Sequence, residues 1–439
     1  MQRAFQPDRA LARSAATVPR IVIFSAAATV AVGLSVRAAG GRLGTALPPF
    51  VGPWAPRLSA LAAVSVAVLA AGTLAASLAA RRLRNPLAFA ATLFVLALGL
   101  GLALNLARSG TRGWYAIFDT GPHGSFEAKW EYLPGLSALS YGPHFFLDRF
   151  AELVPALPVN VAGHPPGLLL TLHAFGIRTA RGMAALCIGT GALTAPLAYD
   201  LGRSLGDEER GRTAGILTAF APSLLLFGFT SADYLYATLG AAAACLLVRP
   251  RPAARGAGAA LLAVAAFFSW LLLAIAAWAA LVVLLREGGR RAAQLAAACV
   301  LAVVALNGGL ATWTGYDPIG TLRSTHAVYR NSLASVRPYA FWAFGSPTAW
   351  LVMLGLPTAL MALRSLSRRD PAALALAGVV VAAAVLGFTK AETERIWLPF
   401  VPLACVAAAA SIDLGRVRPL LWALAAQALA VELLFYTIW

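Results

Sequence analysis

Lysine is nearly missing from this chain. Lys129 and Lys390 are the two among 439 residues, and arginine supplies every other fixed positive charge on a side chain. Charged residues of all kinds make up 12%, and only 18 are Asp or Glu. No polar stretch is long enough to bury a core of its own, which excludes a separate soluble domain. Cysteine is also scarce. Cys187, Cys245, Cys299 and Cys405 all fall inside apolar runs at spacings that suit neither a disulfide framework nor a metal site, so they read as small packing residues.

What the chain does have is apolar sequence: 60% of residues are hydrophobic and the mean hydropathy is +0.75. Many runs reach the roughly 20 residues that cross a bilayer as helix. In hydrocarbon every backbone polar group must be satisfied within the protein, so these runs are expected to be helical. They are rich in Ala, Leu, Val and Gly and lack period-two alternation, which argues against a membrane barrel. The fold class expected is an all-α polytopic membrane protein, one unit over 1–439. Arg3, Arg9, Arg13 and Arg20 lead into an apolar run from about Val18 to Ala39 with no small-residue cleavage pattern after it, so the run reads as a retained first span.

Thirteen spans fit the pattern, at roughly 20–38, 58–80, 86–107, 183–202, 212–229, 234–248, 256–269, 271–285, 292–313, 347–364, 371–388, 396–412 and 419–437. The seventh and eighth are short. They are divided because Arg249, Arg251 and Arg255 precede that stretch and Arg286, Arg290 and Arg291 follow it, and a hairpin brings both basic flanks to one side. The segments on the N-terminal side then hold 21 of the 35 Lys and Arg residues, so the positive-inside rule makes the N-terminus cytoplasmic and the C-terminus external. Three spans fill 1–107, a long extracytoplasmic loop runs over 108–182, and the remaining spans occupy 183–439 with outer segments near 230–233, 314–346 and 389–396. The net charge of +17 is then orientation signal and contact with anionic lipid, with no nucleic acid implied. All five histidines (His123, His144, His164, His173 and His326) and both lysines land on the outer side.

The 108–182 loop gathers acids that are rare elsewhere: Asp119, Glu127, Glu131, Asp148 and Glu152. Phe146, Phe150, Leu153, Val154 and Leu157 share a helical face opposite Asp148, Arg149 and Glu152, which predicts an amphipathic helix in the membrane interface. A second short helix is expected from Pro166 to Gly176, since proline suits a first turn. Two such juxtamembrane helices would roof an outward-facing cavity.

The order of certain residues resembles a known family. An acid followed by an aromatic (Glu131-Tyr132) and then His164-Pro165-Pro166 is similar to the first large loop of GT-C type membrane glycosyltransferases, above all the protein mannosyltransferase and aminoarabinose transferase group. The likeness continues through Gly167-Leu168-Leu169-Leu170, Phe175-Gly176, Arg181, the basic turn Arg210-Gly211-Arg212-Thr213-Ala214, Ala221-Pro222-Ser223 and Ser231-Ala232-Asp233. It ends at Arg395-Ile396-Trp397-Leu398-Pro399-Phe400-Val401-Pro402, and so covers about 110 to 410. Two features depart from the group: Trp130 stands where it usually has an acid before Glu131, and three spans precede the loop in place of one.

The resemblance implies transfer of a sugar, such as mannose or arabinose, from a polyprenyl-phosphate donor to a hydroxyl of a cell-envelope glycan, lipid or protein at the outer face of the plasma (inner) membrane. The acceptor proton needs a carboxylate base within hydrogen-bond reach. Glu131 fits that place best, with Asp119 and Glu127 as alternatives. Cations must steady the leaving phosphate. Lys390 and Arg395 are the candidates, with Glu392 and Glu394 to position them; His164 would touch phosphate or orient the base. Asp233 at the head of a span should face the cavity, since a carboxylate in hydrocarbon costs roughly 2.5–3.5 kcal/mol. Tyr132 and Trp130 could stack on sugar. Asp317, Arg323, His326, Tyr329 and Arg330 belong to the other outer segment and to donor or acceptor contact. No cofactor is required. Asp119, His123, Glu127 and His164 could ligate a divalent metal, but their spacing is not that of a tight site. The alternative function is a transporter or lipid-linked-sugar flippase, which would show charged spans, helices broken at mid-membrane and repeated halves.

Overall fold

The computed structural model describes residues 9–437; Arg3 lies outside them. Among the described residues the regular structure is all helix, apart from two isolated β-bridges, Leu47 with Phe50 and Trp54 with Phe435. Every expected span contains helix. Among the described residues seven helices are long and apolar enough to cross a membrane, and an eighth span arises if one bent pair is counted. The helices Asp233–Leu247, Pro252–Ala266, Pro371–Leu386 and Leu398–Ala409 are apolar but shorter. The structure is thus that of a polytopic helical membrane protein.

Local sequence sets the helix ends. Asn85 accepts hydrogen bonds from the Leu87 and Ala88 amides and Pro86 opens the Pro86–Ser109 helix, a side-chain cap followed by a residue with no amide to satisfy. Asp370 caps Pro371–Leu386 in the same way, and its carboxylate also takes a two-pronged ion pair from Arg210 at 2.9 and 3.0 Å. Asp317, expected to meet substrate, caps Pro318–Asn331 through the Gly320 amide at 2.8 Å. The centre of the bundle is the helix Val401–Ala409, buried on every side, as a helix apolar all round must be.

The expected hairpin over 256–285 is present. Pro252–Ala266 and Leu273–Glu287 are joined by a tight turn at Trp270–Leu272, and an ion pair between Arg255 and Glu287 ties the two basic flanks at one end. That end also holds the pairs Arg249–Asp200, Arg210–Asp370 and Arg212–Glu208.

The single span expected over 347–364 is instead two helices, Tyr339–Met353 and Leu356–Ser367, bent by 114°. Gly355 makes the turn at φ +104°, and a side chain there would strike Leu424 and Pro222. Gln427 closes the break: its amide donates to the Val352 carbonyl at 2.7 Å and its oxygen accepts from the Leu356 amide at 2.9 Å. The 212–229 span is likewise interrupted. Glu208–Ala219 stops ahead of Pro222, which has no amide for the helix ladder, and a wide turn over Leu224–Gly228 follows.

The 108–182 segment folds as a chain of short helices. Pro143–Asp148 and Phe150–Leu153 bury Phe146, Phe150 and Val154 and expose Asp148, Arg149 and Glu152, so the expected amphipathic face exists, but a break at Arg149 divides the helix. Gly167–Ala174 is the second short helix. Gly167 starts it by donating its amide to the Phe267 carbonyl at 3.0 Å, where a Cβ would sit only 2.4 Å from that oxygen. The glycine after His164-Pro165-Pro166 therefore docks this segment onto the turn of the hairpin.

Candidate functional site

Glu131 is the buried centre of the loop. It immediately precedes the single turn Tyr132–Gly135 and is 2% exposed. Its Oε1 accepts from Asn160 Nδ2 at 2.5 Å and lies 3.9 Å from Arg395 Nη1; its Oε2 has no hydrogen-bond partner among the described residues. Burial pushes the carboxyl up to about 7; Arg395 pulls it down, Asp233 pushes it up and the Asn160 hydrogen bond pulls it down.

Arg395 stands among three carboxylates. Besides Glu131, its Nε is 3.5 Å from Asp233 Oδ2 and its Nη2 is 3.3 Å from Glu392 Oε2. Burial disfavours the charged guanidinium, but Asp233, Glu392 and Glu131 more than offset this and hold it above its usual value. Glu392 is shared with Arg337, whose Nη2 meets Oε1 at 2.6 Å. The cluster thus has three acids against two arginines, and a proton on Glu131 balances it. Taking several ions out of water costs several kcal/mol each unless they are paired, which is why the surplus carboxylate is the one that keeps a proton near neutrality.

The loop around Glu131 is held by aromatics. The Tyr132 hydroxyl hydrogen bonds to that of Tyr236 at 2.7 Å. Its ring is fully enclosed, so it braces the loop against the Asp233–Leu247 helix and offers no face to a sugar. Gly191 admits that helix, since a side chain there would collide with the Tyr234 ring. Partly exposed His164 sits 5.4 Å from the Tyr236 ring and 6.2 Å from that of Tyr132. Its Nδ1 donates to the Asn160 carbonyl at 2.7 Å, and burial lowers its pKa, so the imidazole is neutral with Nε2 left as the acceptor. His164 and Glu131 are thereby fixed by the same residue, one through its backbone and one through its side chain.

The turn bearing Arg395 is strained. Ala391 and Glu392 have φ of 65° and 60°, in the left-handed region, at about 1–3 kcal/mol each. Ser346 holds the turn in place: its hydroxyl accepts from the Ala391 amide and its carbonyl accepts from Thr393 Oγ1 at 2.6 Å. Glu394 is buried on the other side, with Oε1 accepting from the Val51 amide at 2.9 Å and Oε2 without a hydrogen-bond partner among the described residues; burial pushes its carboxyl up to about 7.

The remaining candidates lie apart. Asp119 is partly exposed and caps a turn through the Gly121 amide. Glu127 lies near Tyr436. Lys129 lies over the rings of Phe126 and Trp130, making a cationic aromatic edge on the loop. The expected clamp of Lys390 with Arg395 is divided. Arg395 is committed to carboxylates, while Lys390 Nζ reaches the Ala334 carbonyl at 3.3 Å and lines a separate pocket with His326, Arg330 and Arg337. Among the described residues no group of three His, Cys, Asp or Glu side chains gathers as a metal site, and Asp119, His123, Glu127 and His164 do not converge.

Asn160, Arg337 and Tyr236 were not anticipated. Asn160 had a signal, as the one asparagine in the 108–182 loop, set in the apolar run before His164. Arg337 had none, since nothing in its neighbourhood marks it as the partner of a glutamate in a distant turn. No known protein family matches this chain, and no curated protein matches it in sequence.

Proposed function

We propose that this chain is a membrane glycosyltransferase of the GT-C type, moving a sugar from a polyprenyl-phosphate donor to a hydroxyl of a cell-envelope glycan, lipid or protein. Glu131 is its base. The acceptor oxygen attacks the anomeric carbon, the bond from that carbon to the donor phosphate breaks, the phosphate leaves with the electron pair, and Glu131 takes the hydroxyl proton. Asn160 and Arg395 orient Glu131. His164, with Nε2 an acceptor, holds the acceptor or a water beside it, and Lys390 meets the donor phosphate. The protein is proposed to lie in the plasma (inner) membrane in the thirteen-span topology, N-terminus cytoplasmic and this site outside.

One observation carries the reading: a buried carboxylate with an unpaired oxygen and a pKa near neutrality, held by an arginine from a distant turn. General bases work best when their pKa lies near the working pH. The 114° break between Tyr339–Met353 and Leu356–Ser367 is the feature that favours a transporter. Gln427 satisfies the backbone groups freed at that break, and Leu424 and Pro222 pack against Gly355, so no charged site is built on it. In proteoliposomes, Glu131→Gln should abolish sugar transfer where Asp119→Asn and Glu127→Gln retain it; equal transfer by all three variants and the parent would remove the base assignment.

A further inference from the structure

The loop between the helices Arg9–Ala38 and Leu61–Arg82 contains no helix of its own. It is anchored at two places. At one, the Leu43 carbonyl accepts from the buried Trp342 indole at 2.9 Å, and Gly44, at φ +81°, leaves room for the Arg337 side chain. At the other, the loop pairs with the end of the last helix and the residues after it. The Tyr436 amide donates to the Pro53 carbonyl at 3.0 Å, and the Ala55 and Arg57 amides donate to the Leu434 and Leu433 carbonyls at 2.9 and 2.8 Å. Arg108 Nη2 adds a bond to the Ala55 carbonyl at 2.7 Å.

Between these anchors the chain is packed down but barely tied. Pro48 and Pro49 are buried. Among the described residues, the 45–52 stretch makes one hydrogen bond to the rest of the protein, from the Val51 amide to Glu394 Oε1. Glu394 is 2% exposed beneath it. The stretch brings no charge of its own, since no titratable side chain occurs from Leu43 to Pro56. The charges acting on Glu394 are Glu392 in its own turn and Arg337 opposite. Arg337 is already committed to Glu392 and the Lys390 carbonyl, and the neighbouring Arg395 to Glu131, Asp233 and Glu392. An ionised Glu394 under the closed loop would therefore be a buried anion without a cation to match it.

We propose that the 45–52 stretch is a proton-latched strap, shut over a protonated Glu394 and released when that carboxyl loses its proton. Release exposes the carboxylate to water and uncovers the back of the turn that carries Arg395. The closed strap holds the proton up to about pH 7, whereas a carboxyl in water gives it up near 4.5. Opening is therefore rarest below pH 4.5, rises with pH between those values and levels off above 7. The latch rests on the geometry of the loop and stands whether or not Glu131 moves a sugar.

The test is amide hydrogen exchange on the purified full-length chain in detergent, at pH 6 and pH 8. Glu394→Gln keeps an acceptor for Val51 and cannot ionise. Comparing it with the parent at each pH cancels the intrinsic pH dependence of exchange. The parent-to-variant ratio of rates over 45–52 should rise about tenfold from pH 6 to pH 8, while the ratio over Val401–Ala409 stays fixed. Gly44→Ala strains an anchor and should speed exchange of the strap at both pH values while keeping the rise. A reference that does not depend on the Glu394 variant folding is a free peptide of residues 43–57, against which the parent should show the same rise. A ratio unchanged with pH against either reference would overturn the latch. Protection of 45–52 at pH 8 as deep as that of Val401–Ala409 would overturn the strap.

Discussion

Arg395 Nη1 lies 3.9 Å from Glu131 Oε1, although the two residues come from a turn late in the chain and a loop early in it. The contact matters because the same guanidinium also holds Asp233 and Glu392. Glu131 therefore feels one cation shared among three acids, which keeps it in place but does not offset the burial that pushes its carboxyl up to about 7.

The pH profile of transfer follows from that balance. The base must be ionised to act, so activity should rise with pH and reach half its maximum near 7. Asn160→Ala removes a hydrogen bond that favours the carboxylate and should move this limb up in pH. Asp233→Asn removes a neighbouring negative charge and should move it down. Rate profiles of the two variants shifted in the same direction would refute the shared-cation arrangement.

Glu394 gives a stability prediction. Its folded pKa of about 7 lies above the usual 4.5, so the folded state binds the extra proton between those values. The contribution is complete below pH 4.5 and is lost as pH rises through 7. Melting temperatures of Glu394→Gln should accordingly vary less between pH 5 and 8 than those of the parent. A steeper dependence in the variant would contradict the assignment.

Gln427 should matter to folding and not to transfer. Gln427→Leu leaves the Val352 carbonyl and the Leu356 amide without their partner, at about 0.5–1.5 kcal/mol for each net hydrogen bond lost. A clear fall in melting temperature with the pH profile of transfer unmoved is the expected result, measured on the reconstituted protein. An unchanged melting temperature would show that the break is satisfied some other way.

Much of the architecture was legible because hydrophobic length is a one-dimensional signal. Each apolar run became helix, and the basic flanks of the 256–285 hairpin do meet, through Arg255 and Glu287. The break at Leu354–Gly355 was not legible, because it depends on Gln427 from the last helix, and a glycine in an apolar run has no distinct pattern. In the site, Glu131, His164, Asp233 and Arg395 are found together, as their shared side suggested. Glu392, expected to position Arg395, does contact it, whereas Glu131 and Asp233 as further partners of its guanidinium come from distant parts of the chain and had no local signal. The base itself was left open among three acids, which differ in burial: Glu131 is buried, and Asp119 and Glu127 are partly exposed. Glu131 is enclosed beside Arg395, whereas Asp119 caps a turn near solvent.

The most direct measurement is single-turnover sugar transfer in proteoliposomes, with polyprenyl-phosphate mannose and polyprenyl-phosphate arabinose as donors and isolated envelope glycan as acceptor, for the parent and Glu131→Gln. The substitution keeps shape and removes the base, so a fall of at least about a hundredfold with normal folding is expected. Transfer by Glu131→Gln at the parent rate would contradict the central claim.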